Sequence, residues 1–202
     1  MWNAENASHW YSSLNHLKDQ LHTLIKRCQQ GDRDSQTALF KLFLPYVTSI
    51  CKRYLHNASL LQDVVQEAFL LIFKSLPSSF QEEKGALKPW IRKIAINSSL
   101  KFNQRYQGFE ELAQQEYEKK YFAIAEITSK TSDQEIMLLI RAIPTSYREV
   151  FNLYAIDGYS HQEIAQLLGI SIESSRKKLQ RARAYLQEQI KRQQKINFTK
   201  SA

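Results

Sequence analysis

The sequence predicts an all-α fold, in two small helical domains joined by an acidic linker. Apolar residues recur at three- and four-residue spacing through most of the 202 residues, which is the period of an amphipathic helix. No long segment alternates apolar and polar residues with period two. The chain also holds only 5 Gly and 4 Pro, too few for the regularly spaced turns of a large β fold. A hydrophobic content of 43% excludes disorder of the whole chain.

The domain limits are set where the helical periodicity stops. Residues 1–12 form an N-terminal extension, and residues 13–106 form the first domain. Residues 107–131 are polar, acidic and weakly patterned, so they predict a linker that can contain a helical turn. The second domain occupies residues 132–192, and a basic tail follows over residues 193–202.

Four helices are predicted in the first domain. Gly31 follows the first helix and can provide its C-terminal cap. The second helical stretch runs from about residue 34 to residue 55, and Pro45 is expected to break or kink it. Pro77 is expected to end the third helix, and Pro89 is expected to begin the fourth.

The net charge of +8, with a pI of about 9.4, is concentrated in two segments. Residues 84–105 hold six basic residues and no acid, and residues 172–195 hold eight basic residues and two acids. Residues 106–135, between them, hold seven acids and three basic residues. A single charged run is most often a solvent-exposed face. Two basic clusters in separate domains favour nucleic acid as the partner.

Other classes of protein are disfavoured by composition. Cys28 and Cys51 have no CxxC partner, so no zinc site, disulfide framework or other cofactor is expected, and both are interpreted as core residues. The start of the chain lacks a basic segment followed by an apolar one. No apolar run approaches the roughly 20 residues of a membrane span. A cytoplasmic protein without membrane insertion is predicted.

A helix-turn-helix is the strongest local pattern of the second domain. Ser160 and Glu163 form a capping box that begins a short helix. Gly169 allows the positive φ of a tight turn, and Ser171 can cap the next helix, which is amphipathic and basic. A basic helix of this kind fits the major groove of DNA, where arginine reads guanine. His161 is interpreted as a solvated residue at the helix start.

Taken in order, these motifs resemble an extracytoplasmic-function (ECF) sigma factor of bacterial RNA polymerase. Residues 61–69, LQDVVQEAF, are similar to the family's polymerase-binding helix. Residues 88–97, KPWIRKIAIN, are similar to its segment that binds the −10 promoter element. Residues 143–151 and the helix-turn-helix, which ends near Arg183, are similar to its C-terminal domain. The resemblance covers about residues 20–190.

The resemblance implies transcription initiation without catalytic activity. The first domain would bind core RNA polymerase and capture an unstacked −10 base, and the second would read the −35 element of promoter DNA as duplex. An anti-sigma factor is a further partner that it implies. Polymerase contacts are expected at Asp63, Gln66, Glu67, Leu70 and Lys74. The −10 contacts are expected at Phe80, Lys84, Lys88, Trp90, Arg92, Lys93, Asn97 and Lys101. The −35 contacts are expected at Ser174, Arg176, Lys177, Lys178, Gln180 and Arg181.

Other interpretations stay open at several of these positions. The polar stripe that includes Asp63 and Glu67 also has the pattern of a solvated helix face. Trp90 is in phase with Ile94, so packing in the core competes with stacking on a base. Asn97 is either a base reader or a surface amide.

Two other functions compete with initiation. A helix-turn-helix transcriptional regulator would bind duplex DNA without polymerase, but it needs a sensory domain, and the first half shows no strand–helix alternation to supply one. A nucleic-acid enzyme would need a phosphate-binding glycine loop or a cluster of metal ligands, and neither pattern occurs. A non-enzymatic initiation factor is therefore the preferred interpretation.

The length of the linker limits how the two domains reach DNA. About 25 residues span roughly 25–30 Å as a coil and about 80 Å when extended. A promoter spacer of ~17 base pairs spans about 58 Å. We therefore expect the linker to bridge the two promoter elements only when it is held extended, and the free chain to bind promoter DNA poorly.

Overall fold

The computed structural model describes the backbone of residues 19–55, 58–81, 86–124 and 132–200. Side chains are described for the same residues apart from 58, 106–124, 132–135 and 193–200. Every regular element among these residues is helical, so the predicted all-α fold is confirmed. Within this part of the chain, no helix is long and apolar enough to cross a membrane.

Helices follow one another along the whole described chain. The first, α1, is described over residues 19–29. The others are α2 (Arg33–Tyr54), α3 (Leu61–Ser79), α4 (Leu87–Ile124), α5 (Ser132–Ala142), α6 (Thr145–Phe151), α7 (His161–Leu168) and α8 (Ile172–Lys200). A 3-10 turn at Ala58–Leu60 precedes α3, and a π-helical turn at Asn152–Ile156 continues α6.

Pro45 and Pro77, the two prolines predicted to interrupt or end a helix, both lie inside helices. Pro45 does not break α2, and α3 runs two residues past Pro77 to Ser79. A proline in a helix removes one backbone hydrogen bond, so something else must hold the helix together. Buried side chains on both sides of Pro45 do so, since Phe43 and Val47 are 8% and 0% exposed.

The predicted linker is largely helical. Helix α4 continues without a break through residues 107–124, and residues 125–131 lie outside the described part of the chain. The physical reason is composition, because residues 110–124 are rich in Glu, Leu, Ala, Gln and Lys, which are strong helix formers. The segment is acidic, but acidity does not prevent helix formation.

The chain forms two compact units. The first consists of residues up to Ser49 together with Gln62–Ala95, and the second consists of Ile50–Leu61 together with residues from Ile96 onward. The ends of α2 and α4 therefore belong with the C-terminal helices. The predicted domains, by contrast, divide the chain at residues 106 and 132.

Each unit has its own apolar core. The fully buried residues of the first unit include Leu39, Val47, Val64, Ala68, Ile72, Leu76 and Ile91. Those of the second unit include Cys51, Tyr54, Ile96, Ile143, Val150, Leu153, Ile164 and Ala182. Cys28 and Cys51 are both buried free thiols, as predicted, and burial raises the pKa of Cys51 to about 11.

Candidate nucleic-acid interface

The start of α7 and the turn to α8 are built as the sequence predicts. Ser160 Oγ accepts a hydrogen bond from the Glu163 amide at 3.2 Å, and Glu163 Oε2 accepts one from the Ser160 amide at 2.8 Å. Gly169 has φ of 65°, in the left-handed region that ends α7. Ser171 Oγ accepts a hydrogen bond from the Ser174 amide at 3.0 Å. The predicted capping box, turn and cap are all confirmed.

Small and aliphatic side chains join α7 to α8. Ile164 and Ala182 are fully buried, and Leu179 is nearly so. Because the inward face of α8 is occupied in this way, its opposite face is left in solvent. That division is the geometry of a helix-turn-helix whose second helix is free to enter a groove.

The solvent face of α8 holds the predicted −35 contacts. Arg176, Lys177, Gln180 and Arg181 are exposed, while Ser174 and Lys178 are half-buried. Lys177 Nζ lies 2.7 Å from Glu173 Oε1 in an exposed pair, which is worth little in water and can be exchanged for a phosphate. These side chains can therefore form one cationic surface.

Arg181 has a partner that the sequence did not indicate. Its Nη1 donates a hydrogen bond to Tyr147 Oη on α6 at 3.1 Å, and its guanidinium carbon lies 5.7 Å from the centre of the Tyr147 ring. Since a free arginine has many rotamers, this contact restricts the guanidinium before any ligand binds. Tyr147 and Arg181 are 34 residues apart, so no local pattern links them.

His161 begins α7, as predicted, but it is half-buried and not fully solvated. Its ring stacks on Tyr154 with 4.6 Å between centroids, and its Nδ1 lies 2.9 Å from Ser175 Oγ. Ser175 is itself fully buried on α8. Burial, followed by the nearby charges of Arg176 and Arg183, lowers the pKa of His161. The imidazole therefore connects α7 to α8.

In the first unit, α3 has the two faces that the sequence predicts. Val64, Val65, Ala68, Phe69 and Ile72 are buried. On the other side, Asp63, Gln66 and Lys74 are exposed and Glu67 is half-buried. Leu70 is 68% exposed among them. An exposed leucine within a polar stripe offers a small apolar anchor to a protein partner.

The two aromatic residues predicted to meet the −10 element contact each other. Phe80 is 4% exposed, and its ring lies 5.3 Å from that of Trp90, which is half-buried. This arrangement agrees with core packing of Trp90. The Phe80 ring is covered in this structure, so it would have to be uncovered before it could meet a base.

The remaining −10 candidates lie mostly on α4. Lys93 and Lys101 are exposed, and Asn97 is half-buried, at four-residue spacing along the helix. The other two described candidates are Lys88, which is exposed with its Nζ 4.9 Å from the centre of the Tyr46 ring, and Arg92, which is half-buried. Lys84 lies outside the described residues.

The described residues contain no group of three or more His, Cys, Asp or Glu side chains that could hold a metal ion. Charged and polar side chains are nevertheless buried on α6 and the π-helical turn. Arg148 and Asn152 are 0% exposed and Glu149 is 8% exposed. The sequence analysis did not predict this cluster. The available signal was the position of these residues beside the apolar Val150 and Leu153, both of which are buried.

Two family models match the chain in succession. Sigma-70 region 2 matches residues 39–114, and Sigma-70 region 4 matches residues 133–186. The first match contains α3 and all of the −10 candidates, and the second contains the helix-turn-helix. This chain belongs to the sigma-70 family. Members of the family are transcription initiation factors and not enzymes.

Curated relatives identify the ECF group within that family. The ECF RNA polymerase sigma-E factor of Escherichia coli (strain K12) is 26% identical over 186 residues, covering 86% of this chain and 95% of the relative. The sigma-E factor of Haemophilus influenzae is 24% identical, covering 86% of this chain and 96% of the relative. This sigma factor is thus of the ECF type.

A solved structure is also matched by this chain. It is the sigma factor RpoE in complex with the anti-sigma factor NepR from Bartonella quintana, with 18% sequence identity and a TM-score of 0.47. The match covers 77% of this chain and 96% of that chain.

Proposed function

We propose that this sigma factor binds core RNA polymerase in the cytoplasm, directs it to specific promoters and helps to open the −10 element. The observation that carries the proposal is the presence of region 2 and region 4 in one chain, each with an exposed surface of suitable chemistry. Polymerase supplies the catalysis. The sigma factor supplies positioning and recognition of DNA.

Polymerase binding is assigned to the polar face of α3. Leu70 is the apolar anchor of this surface, and Asp63 and Lys74 are charges exposed beside it. A partner that covers Leu70 removes apolar area from water, and the surrounding charges favour one orientation of docking.

Recognition of the −35 element is assigned to α8. Arg176, Gln180 and Arg181 are exposed on its outer face, within the first three turns of the helix. Arginine can bind guanine through two hydrogen bonds and glutamine can bind adenine in the same way. Lys177 and Lys178 add contacts to phosphate, which position the helix without reading sequence.

Opening of the −10 element is assigned to the basic part of α4 and to the neighbouring aromatic pair. Lys88, Arg92 and Lys93 provide cationic groups for a single strand. Asn97 provides a paired donor and acceptor for the edge of an unstacked base. Phe80 separates from Trp90 in this scheme, so that one ring stacks on the captured base.

An anti-sigma factor is proposed as a further partner from membership of the ECF group. The alternative function is a helix-turn-helix regulator that binds duplex DNA without polymerase. The two functions make opposite predictions for the free chain: a regulator binds its site tightly alone, whereas this sigma factor needs polymerase.

The test is co-elution of the full chain with bacterial core RNA polymerase. Wild type is expected to co-elute, and both Leu70→Ala and Asp63→Ala/Glu67→Ala are expected to weaken binding by about tenfold or more. Ile190→Ala, which truncates an aliphatic residue that is 42% exposed on α8, is the matched control and should bind as wild type does. Failure of wild type to bind, together with tight polymerase-independent binding to duplex DNA, would favour the regulator.

A further inference from the structure

The side chain of Gln29, at the end of α1, holds the end of α3 and the residue that follows it. Its Nε2 donates a hydrogen bond to the Leu76 carbonyl at 3.2 Å and a longer one to the Phe80 carbonyl at 3.4 Å. A primary amide nitrogen has two hydrogens, so one glutamine can serve both carbonyls at the same time. Carbonyl groups at the end of a helix need partners from outside it, and here α1 supplies one.

The donor lies at a well-packed corner between α1 and α2. Its neighbour Cys28 is 2% exposed. Gly31 follows α1 with φ of 85°, in the left-handed region that ends a helix. The Asp32 carboxylate then accepts a hydrogen bond from the Ser35 amide at 3.0 Å, which caps the start of α2. The backbone and its caps thus fix the place from which Gln29 reaches α3.

This corner shares a core with α3. The Phe40 ring on α2 lies 4.6 Å from the Phe69 ring on α3, and Phe69 is 4% exposed. Leu39 of α2 and Ile72 of α3 are fully buried in the same unit. Because a close-packed core restricts the movement of its helices, the Gln29 amide keeps its position relative to the end of α3.

The end of α3 needs an outside donor because its own sequence weakens it. Pro77 has no N–H, so the last turns of α3 lack one backbone hydrogen bond. Ser75 and Ser79 direct their hydroxyls to carbonyls one turn earlier on α3, a pattern that slightly destabilises a helix. The bonds from Gln29 offset these local losses.

The second carbonyl belongs to Phe80, the residue proposed to meet the captured base. The Phe80 ring is 4% exposed and lies 5.3 Å from the Trp90 ring, at an interplanar angle of 56°. It can leave Trp90 by rotation about χ1, which does not require the backbone to move. A Phe80 carbonyl bonded to Gln29 keeps the Cα in place during that rotation, so the uncovered ring is presented at one position.

Gln29 lies outside the match to Sigma-70 region 2, which begins at residue 39. The apolar contacts of α1 come from residues such as Ile25 and Cys28, each 2% exposed. The amide of Gln29 adds directional bonds to two particular carbonyls, which apolar packing cannot provide. A residue that precedes the matched region therefore acts on a −10 candidate inside it.

We propose that Gln29 is a positioning residue for opening of the −10 element: its amide fixes the Phe80 backbone, so that the Phe80 ring meets an unstacked base at a defined place. The role in opening rests on the proposed function, whereas the effect on Phe80 and Trp90 belongs to the free chain. Gln29 itself touches no DNA. It preorganises another residue, which lowers the entropic cost of binding the base.

The experiment compares variants of the full chain. Gln29→Met keeps a flexible side chain of similar size and removes both N–H donors. Gln29→Glu, which has no N–H donor when ionised, replaces it in case Gln29→Met does not fold. Gln29→Lys keeps N–H donors on a flexible stem and should restore part of the lost function. Gln30→Met is the matched control, because Gln30 is the exposed neighbour of the same residue type.

The first measurement is acrylamide quenching of Trp90 fluorescence in the free chain. Trp2→Phe and Trp10→Phe in every sample leave Trp90 as the single tryptophan. Gln29→Met is expected to raise the quenching constant by about 1.5- to twofold, since Phe80 then covers Trp90 for less of the time. Gln29→Lys and Gln30→Met should stay near wild type. Unchanged quenching in folded Gln29→Met and Gln29→Glu would overturn the positioning of Phe80.

The second measurement is the rate of promoter opening by the polymerase complex. The probe is a promoter selected from a random-sequence library by the wild-type complex, with 2-aminopurine in its −10 element. Gln29→Met is expected to slow opening by about three- to tenfold, and Gln29→Lys to recover at least half of that loss. Affinity for core polymerase and discrimination among −35 sequences should not change, whereas a merely structural defect would lower both. Opening as fast as wild type, or faster, would refute the role in opening.

The two measurements separate this proposal from the proposed function. If wild type does not bind core polymerase, the proposed function fails, while quenching still decides whether Gln29 positions Phe80. If the complex opens its promoter normally and quenching is unchanged in Gln29→Met, only the positioning role fails.

Discussion

Arg181 on α8 donates a hydrogen bond to the phenol oxygen of Tyr147 on α6 at 3.1 Å, while its guanidinium also contacts the Tyr147 ring. A candidate base reader is thus held by the helix that precedes the helix-turn-helix. Because both groups are exposed enough to meet solvent, the contact contributes more to orientation than to stability.

Tyr147→Phe should therefore weaken binding of the polymerase–sigma complex to a promoter by about two- to fivefold, since it removes one hydrogen bond and keeps the ring. The measurement is an equilibrium promoter-binding titration. Thermal unfolding of the free variant is expected to match wild type. An unchanged affinity would mean that the guanidinium finds its position on DNA without Tyr147.

Arg176→Ala should lower discrimination at one position of the −35 element by about 1–3 kcal/mol, since a bidentate contact with a base is lost. The check is promoter affinity on a series of −35 base substitutions. Arg192→Ala is the matched control, because Arg192 pairs with Glu188 beyond the groove-facing turns. A uniform loss on all promoter sequences would instead assign Arg176 to a phosphate.

Stability is expected to fall as the pH drops below the usual pKa of histidine, near 6.5, because the pKa of His161 is lowered in the folded chain. Between those two pKa values the unfolded chain binds more protons than the folded one, so acid favours unfolding. The groups that face the ring are Tyr154, Ser175, Arg176 and Arg183.

The check is thermal unfolding at a series of pH values for wild type and His161→Phe, which keeps a ring on Tyr154 and removes the titration. The variant should lose the part of the pH slope that lies below pH 6.5. A direct readout is the imidazole titration by NMR in the folded protein. An upward shift of that pKa would contradict the prediction.

Phe80→Ala should destabilise the first unit by about 3–5 kcal/mol, since the side chain is buried against Trp90. Phe80→Leu should recover most of that stability, because it refills the space. The two variants separate packing from function: chemical denaturation reports the first, and promoter opening by the polymerase complex reports the second. If Phe80→Leu opens promoters as well as wild type does, no base stacks on this ring.

Several features could be read from the sequence because they depend on residues close in the chain. The cap joins Ser160 and Glu163, which are three positions apart, and the turn at Gly169 needs only a backbone that tolerates positive φ. The two faces of α3 follow from helical period alone. The length of α4 also depends on local composition. Its acidic segment was interpreted as a linker, although glutamate is a good helix former.

Other features depend on which helices meet. Tyr147 and Arg181 are 34 residues apart, and Arg53 and Asp157 are 104 apart. Nothing in the neighbourhood of Asp157 indicates that its carboxylate is buried, because an Asp-Gly pair usually marks an exposed turn. The contacts of His161 were not predicted for the same reason, since Tyr154 and Ser175 come from elements on either side of α7.

The sequence by itself determined the helical class, the capped helix-turn-helix, the amphipathic α3 and the family, because periodicity, capping and motif order are local properties of the chain. Only the tertiary structure decided that the ends of α2 and α4 pack with region 4, that Arg148 and Asp157 are buried, and that Arg181 is held by Tyr147. Burial and hydrogen bonding across a hundred residues depend on the packing of whole helices, and a buried polar group is recognisable only when its partners are in place.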